Sequence, residues 1–497
     1  VFSGPEENLR IAKAGLEKLT LEQCHQALKE FWKDRDLTLI LTAKEAPEGT
    51  REELAKLFEK SRTVAVDAPE KEETKAFAYT DFGPAGKVSS RNEVEDLGFT
   101  QVILDNNVRV NLKRTDFQKN SVTVMARFGN GQLTQPKDQT GIDMVAGAVM
   151  NAGGLGKHDV DELQRILAGR NVGSSFGIAQ DAFILSGATT AEDLELQLQL
   201  MCADLTDPGY REEAIRQLRK QIPMMAQQLR FTMAGAMAEM QEWAHGGDGR
   251  FAKPDPQKIA TYTTEDVKNW VGPELKDSYL ELSLIGDFDP EAALPLILKT
   301  FGALPVRPST KPGLAKEREI NTPDLPVVKS FSYESKIEKA LSAVGWKIPP
   351  IGEDIQETRR LNVLASILDD RLREKLREEL GATYSPQAGA SPGQVFDVGS
   401  LTAQSIGKPE DAQKVSEIIE EMGQKLADEG ASADELERAV KPILSSLEKT
   451  LRENSYWLGT VMSQSQEQPY RLDWARQRDK DYASITLEEV NALAKKY

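Results

Sequence analysis

The chain has 497 residues, with 62 Lys or Arg against 79 Asp or Glu, a formal charge of −17, and only three His and two Cys. A hydrophobic fraction of 39% and a charged fraction of 28% are ordinary for globular protein, the length suits roughly three domains, and no run approaches the ~18 apolar residues of a membrane span. Without a concentrated basic surplus the chain is not built as a general nucleic-acid binder. Two cysteines make neither a disulfide framework nor a four-cysteine zinc site.

The chain opens Val1-Phe2-Ser3-Gly4-Pro5, with no initiator Met and no signal-like apolar run, as in a processed chain or a fragment. A domain-sized repeat follows. Thr20-Leu-Glu-Gln-Cys24, Thr263-Thr-Glu-Asp-Val267 and Thr486-Leu-Glu-Glu-Val490 each place Thr at a helix N-cap and Gln, Asp or Glu three residues on, the capping-box pattern. The first two copies continue into apolar runs, Leu37–Leu41 and Leu280–Ile285, that read as strands, and then into helices at Glu52–Phe58 and Glu291–Ile297. The third copy reaches Tyr497 before its strand.

Residues 63 to 95 are polar and carry Pro69 and Pro84, and 305 to 327 are proline-rich, so both read as linkers. Between them Val102–Leu104 and Val108–Leu112 flank Asp105-Asn-Asn107, a turn tolerant of positive φ, and Val122, Val124, Ala126 and Phe128 alternate as a strand. Helices are expected at about 139 to 152, 159 to 169 and from 191, where Thr190 and Asp193 form a cap. The Leu361, Leu364, Leu368, Leu372, Leu376 stripe makes 355 to 380 a helix stopped by Gly381, and further helices cover about 409 to 427 and 433 to 453, the last capped by Ser432 with Glu435.

The fold class is therefore α+β: two similar layered domains, each a mostly antiparallel or mixed sheet covered by long helices, preceded by the tail of another such domain. The expected boundaries are a tail at 1–65, a linker at 66–95, a domain at 96–306, a linker at 307–328 and a second domain at 329–497 that lacks its final strand.

Three stretches carry a family likeness. Leu284-Ile-Gly-Asp-Phe-Asp-Pro290 with Phe301-Gly-Ala-Leu-Pro305, Leu376-Arg-Glu-Glu-Leu-Gly-Ala-Thr-Tyr-Ser-Pro386, and Leu104-Asp-Asn-Asn-Val-Arg-Val110 together resemble the pitrilysin/insulinase (inverzincin) family of zinc metallopeptidases. The resemblance implies a clamshell of two halves, one bearing His-x-x-Glu-His on a helix, whose two His bind zinc while Glu activates water. Where that motif would fall, this chain reads Val145-Ala-Gly-Ala148-Val149, and the helix from Tyr210 offers Arg216, Gln217, Lys220 and Gln221 in place of a third ligand. The chain is thus similar to the family's non-catalytic C-terminal half, with no catalytic residue and no metal site of its own, and with zinc expected in a partner half.

The resemblance also assigns substrate contact to Arg377 and Tyr384, a guanidinium fork and a phenol suited to holding a carbonyl or a developing oxyanion. The alternative for Arg377 is pairing with Glu374 or Glu378. The implied partners are a zinc-bearing peptidase half, in the same polypeptide or separate, and a peptide or unfolded-protein substrate. The alternative function is an inactive partner or scaffold subunit. Bacterial members are often periplasmic, and the compartment here rests on that analogy alone.

Other candidates read as structural. His158 and Glu162, four apart on an expected helix, are too few for a metal and read as a solvated pair; His25 reads as surface or core packing and His245 as a lone loop histidine. Cys24 and Cys202 read as buried apolar thiols. Gly129-Asn-Gly131 and Gly153–Gly156 lack a P-loop Lys-Ser/Thr and read as turns. Met224, Met225, Met233, Met237 and Met240 read as core packing on one helix.

Overall fold

The structure, a computed structural model, describes residues 4–32, 38, 40–42, 49, 51–66, 75–352, 354–381 and 385–497. The chain divides into two units, Val1–Glu72 and Glu73–Tyr497. The first holds helices α1 (Pro5–Leu16), α2 (Leu21–Trp32) and α3 (Arg51–Arg62). Thr20 caps α2 as expected, its amide donating to Gln23 Oε1 at 2.9 Å and its hydroxyl accepting the Gln23 amide at 3.2 Å. None of the three helices has a buried residue. Cys24 is accordingly exposed, not buried as its apolar neighbours suggested. His25 is likewise exposed. The expected strand at 37–41 is not seen in its described residues, 38, 40 and 41; a strand needs a neighbouring ladder, and the described part of this unit supplies none.

The second unit contains two sheets. The larger comprises β1 (Val88–Val94), β2 (Phe99–Leu104), β3 (Arg109–Arg114), β4 (Val122–Phe128), β5 (Ser175–Ile178), β6 (Phe183–Thr189) and β7 (Leu280–Gly286), in the order β1-β2-β3-β7-β4-β6-β5. The β2–β3 hairpin turns through Asn107 at φ 66°, as its sequence allows. β1 forms inside the stretch that reads as a linker. β7, from the far end of this domain, inserts between β3 and β4, parallel to the first and antiparallel to the second. That central position explains why every residue of β7 is buried and why its sequence is an apolar run.

One face of this sheet carries the main core. Helices α4 (Ile142–Ala152), α5 (Val160–Ile166), α6 (Leu194–Thr206), α7 (Glu212–Phe231), α8 (Met233–Ala244), α9 (Pro256–Ile259), α10 (Thr264–Asp277) and α11 (Pro290–Lys299) follow the sequence reading closely. α10 carries the full Thr263–Asp266 capping box. Cys202 of α6 is buried, and burial pushes its thiol well up from the usual value. The methionines do not share a helix: α7 and α8 break at Thr232, Met224 and Met237 are exposed, and only Met225 packs on the core. An amphipathic helix at the outer surface buries only part of its apolar stripe.

Past the one-turn α12 (Ala315–Arg318), the smaller sheet comprises β8 (Ala340–Ile348), β9 (Ser385–Ser391) and β10 (Gly399–Gly407), all antiparallel, in the order β8-β10-β9. It is covered by α13 (Gln356–Leu380), α14 (Ala412–Glu429), α15 (Ala433–Thr450) and α18 (Leu487–Lys496). The α13 leucine stripe is buried throughout, and Gly381 at φ 87° ends the helix as read. Thr486 and Ser432 both form capping boxes.

The two sheets are joined by chain exchange. After α15, the short α16 (Asn454–Tyr456), a π-helix at Trp457–Met462 and α17 (Tyr470–Ser484) lead back across the larger sheet. Trp457, Leu458, Val461 and Met462 pack on Val94, Phe99 and Ile285. Glu281 of β7 accepts the amides of Gln466 at 3.1 Å and Glu467 at 3.2 Å. A segment that follows the smaller sheet in sequence thus packs on the face of the larger sheet opposite its main core.

Candidate functional site

α4 is where the sequence resemblance would place the zinc helix. Val145 and Val149 are 0% and 1% exposed, inside the core, and Ala148 is half-buried. Arg216, Gln217, Lys220 and Gln221 of α7 are exposed. No side chain at 145, 148 or 149 has a donor atom for a metal, and among the described residues no group of three or more His, Cys, Asp or Glu is placed to hold an ion. The residues present on this helix do not fit a His-x-x-Glu-His zinc site.

Two residues beyond Val149, α4 makes a contact that sequence reasoning missed. Asn151 Nδ2 donates to the Phe176 carbonyl at 2.9 Å, and Asn151 Oδ1 accepts the Phe176 amide at 2.8 Å. Phe176 lies in β5, the sheet's edge, so Asn151 occupies main-chain groups that a further strand would use. The smaller sheet repeats the device. Asp369 of α13 accepts the Ala388 amide of edge strand β9 at 2.9 Å. Val363 and Ile367 stand six and two residues before it and are 0% and 1% exposed, as Val145 and Val149 are before Asn151. The only sequence signal was a polar residue at equal spacing behind two apolar ones.

Arg377 lies on α13 two turns beyond Asp369, exposed, in the wall of a groove of about 910 Å³ between α13 and β9. Asp369 and Arg373 pair within that wall, and Arg373 also meets Asp370 at 3.2 Å. Arg377 pairs with neither Glu374 nor Glu378, and its side chain has no hydrogen-bond or ion-pair partner among the described residues. Tyr384 lies outside the described residues.

The histidines stay outside this site. His158 is buried, not solvated: Nδ1 faces Glu162 Oε2 at 3.3 Å, and Nε2 accepts the Ala78 amide at 3.0 Å. Phe77 stacks on its ring, so the residue fastens the incoming strap at 75–82. His245 is half-buried, hydrogen-bonds to the Gln241 carbonyl at 2.7 Å and stacks on Phe251. The glycine stretches are turns; at Gly131, φ is 55° and a Cβ would stand 2.3 Å from the Ala179 carbonyl oxygen.

Residues 261–443, from α10 through most of α15, match the family described as the Peptidase M16 inactive domain. Over that stretch the chain carries a Peptidase M16 inactive domain. The chain is 21% identical, over 80% of its length and 35% of the relative's, to the chloroplastic stromal processing peptidase of Pisum sativum. It is 19% identical to the probable zinc protease PqqL of Escherichia coli over its whole length and 53% of that protein. It spans about a third to a half of the curated relatives it matches. Among solved structures, the periplasmic protease PqqL from Escherichia coli matches all of this chain and 55% of its own, with TM-score 0.71 and 18% identity. A peptidase M16 inactive domain from Pseudomonas fluorescens matches 80% of this chain and 95% of its own, with TM-score 0.63 and 16% identity. The resemblance read from the motifs and the α+β fold are both borne out, and the chain carries an inactive M16 domain of the zinc-protease type.

Proposed function

We propose that this chain acts as the non-catalytic half of a zinc endopeptidase, forming one wall of the substrate chamber while peptide hydrolysis occurs in a zinc-bearing half. The observation that carries the reading is the pairing of a core-buried Val145–Val149 helix with an Arg377 that has no partner among the described residues and stands in an open groove. The position that does chemistry in active relatives is filled with hydrocarbon, and a strong, unused donor remains on a concave surface. Buried apolar side chains exclude a metal and its water. A guanidinium without a carboxylate partner keeps its planar fork for a carbonyl or carboxylate oxygen of a bound peptide.

In this reading 1–65 is the end of a preceding half, 66–95 the connection, and 96–306 with 329–497 the two domains of the wall. Arg377 and Tyr384 contact substrate. The test is peptide cleavage by a His-x-x-Glu-His half with and without this chain. Cleavage should require both, and Arg377→Ala or Tyr384→Phe should lower kcat/KM about tenfold, the loss of one charge-assisted or phenolic contact to the reacting peptide. Full activity without the chain, or unchanged turnover in both variants, refutes the reading. Zinc-dependent cleavage by this chain alone refutes it more directly.

A further inference from the structure

The groove beside Arg377 has an uneven charge distribution. Asp369 accepts the Ala388 amide with one oxygen and Arg373 with the other, so its charge is compensated in place. Arg377, on the same helix face, has no such partner among the described residues. The other polar groups lining the groove, including Asn362, Ser366, Gln387 and Gln404, are uncharged. Asp369 and Arg373 are paired with each other, and Arg373 also with Asp370, so in a chain of net charge −17 Arg377 is the charged group lining this groove that no neighbour among the described residues compensates.

The edge of β9 adds a second constraint. The Ala388 amide points to α13, so its pair with Ala403 is one whose main-chain groups face away from β10. Strand alternation puts Pro386 and Ala390 in the same class. Pro386 has no N–H, and the Ala388 N–H is taken. Two of the three outward positions cannot donate to an added strand, so a chain lying in this groove finds only a depleted main-chain ladder. Recognition falls to side chains.

Resting on the reading that Arg377 faces substrate, we propose that this groove seats an extended peptide segment and selects one bearing an acidic side chain, whose carboxylate pairs with Arg377. The wall from Asn362 to Arg377 runs about 22 Å at 1.5 Å per helical residue, the length of about seven extended residues. A carboxylate is the group whose two oxygens match the guanidinium fork. An acidic side chain can meet Arg377, at one end of this wall, while the peptide runs from it along the groove.

The test uses the full chain with no zinc-bearing half present, and fluorescein-labelled peptides of about nine residues, acetylated and amidated, with Glu, Gln or Lys at the centre. Fluorescence anisotropy should show the Glu peptide binding about fivefold more tightly than the Gln peptide, the worth of one partly exposed charge pair, with the gap closing at about 0.5 M salt. Arg377→Ala should abolish the preference without unfolding the protein, since the side chain is exposed, and Arg377→Glu should transfer it to the Lys peptide. N-methylation of alternate peptide amides should be tolerated. Equal affinity for Glu and Gln peptides, no binding by any of them, a preference surviving Arg377→Ala, or loss of binding on N-methylation would each overturn the proposal. If Arg377→Ala slows cleavage by the assembled halves yet Glu and Gln peptides bind alike, the acidic selectivity fails and the functional reading stands.

Discussion

Asn151 holds both main-chain polar groups of Phe176, donating to its carbonyl at 2.9 Å and accepting its amide at 2.8 Å. The contact ties α4 to edge strand β5, and the Phe176 ring is buried against Phe183 behind it. Asn151→Ala leaves both groups to water or to nothing, and the unfolding free energy should fall by about 2 kcal/mol. Urea denaturation should show a lower midpoint at unchanged slope, and hydrogen exchange should show the Phe176 amide opening faster. An unaltered exchange rate would mean that β5 is held by its ladder with β6 alone.

Rebuilding the missing motif tests whether α4 is a lapsed metal site or a core helix. Val145→His, Ala148→Glu and Val149→His together would place two imidazoles where the side chains are 0% and 1% exposed. Overpacking and unsatisfied polar atoms should cost about 3 kcal/mol or more. Because α7 offers Arg216, Gln217, Lys220 and Gln221 where the third ligand would lie, with its two carboxylates, Glu212 and Glu213, confined to its first turn, the triple variant should retain no stoichiometric zinc after dialysis. Metal analysis showing one bound zinc per chain would contradict this.

Local rules made the elements legible. The reciprocal bonds at Thr20, Thr263, Ser432 and Thr486 formed because a capping box depends only on residues three apart. The leucine stripe of α13 and the Asn107 turn are equally local. Long-range events were not legible: β7 inserting between β3 and β4, and the return of 454–468 across the larger sheet, are set by pairings hundreds of residues apart. Cys24 misled because its helix buries nothing in its own unit, and His158 because the strap that covers it lies eighty residues upstream. At the candidate site, the motif marked Arg377, whereas the groove and the occupied β9 edge needed the third dimension.

Acid should loosen the helix that carries Arg377. Arg371 of α13 grips Glu435 through both oxygens, at 2.6 and 3.1 Å, and the Ser432 amide donates to the same carboxylate at 2.7 Å. Arg371 foremost, with the cap, holds the Glu435 carboxyl down at about 2. A carboxyl lowered in the folded state stabilises the fold above its unfolded value near 4.3, and that stabilisation is lost as pH falls toward 2. About 2 kcal/mol should disappear between pH 5 and pH 2. Glu435→Gln should be less stable at pH 7 and nearly level with the parent at pH 2, as read by urea midpoints. A parallel decline in both proteins would place the acid sensitivity elsewhere.

The joint between the larger sheet and the returning segment should respond in the opposite direction. Glu281 is buried under the returning segment, where it accepts the amides of Gln466 and Glu467, Asn111 Nδ2 at 2.8 Å and the Tyr279 hydroxyl at 3.0 Å. Burial outweighs these donors and pushes its carboxyl up to about 7. A carboxyl raised on folding binds its proton more tightly in the native state, so stability is greatest below the unfolded value near 4.3 and declines as pH rises to about 7. Glu281→Gln cannot ionise and should remove part of this decline. Asp204, which burial also pushes to about 7, and Asp143, which burial raises as well, add to the decline. The substitution also puts an amide nitrogen where one acceptor oxygen stood, facing a donor it cannot accept from, so Glu281→Gln should be lower by about 1 kcal/mol at acidic pH. Thermal midpoints of both proteins between pH 5 and 8 decide the matter: curves of identical slope would show that Glu281 keeps the same charge in the folded and unfolded chain, and that its four donors, not burial, set its ionisation.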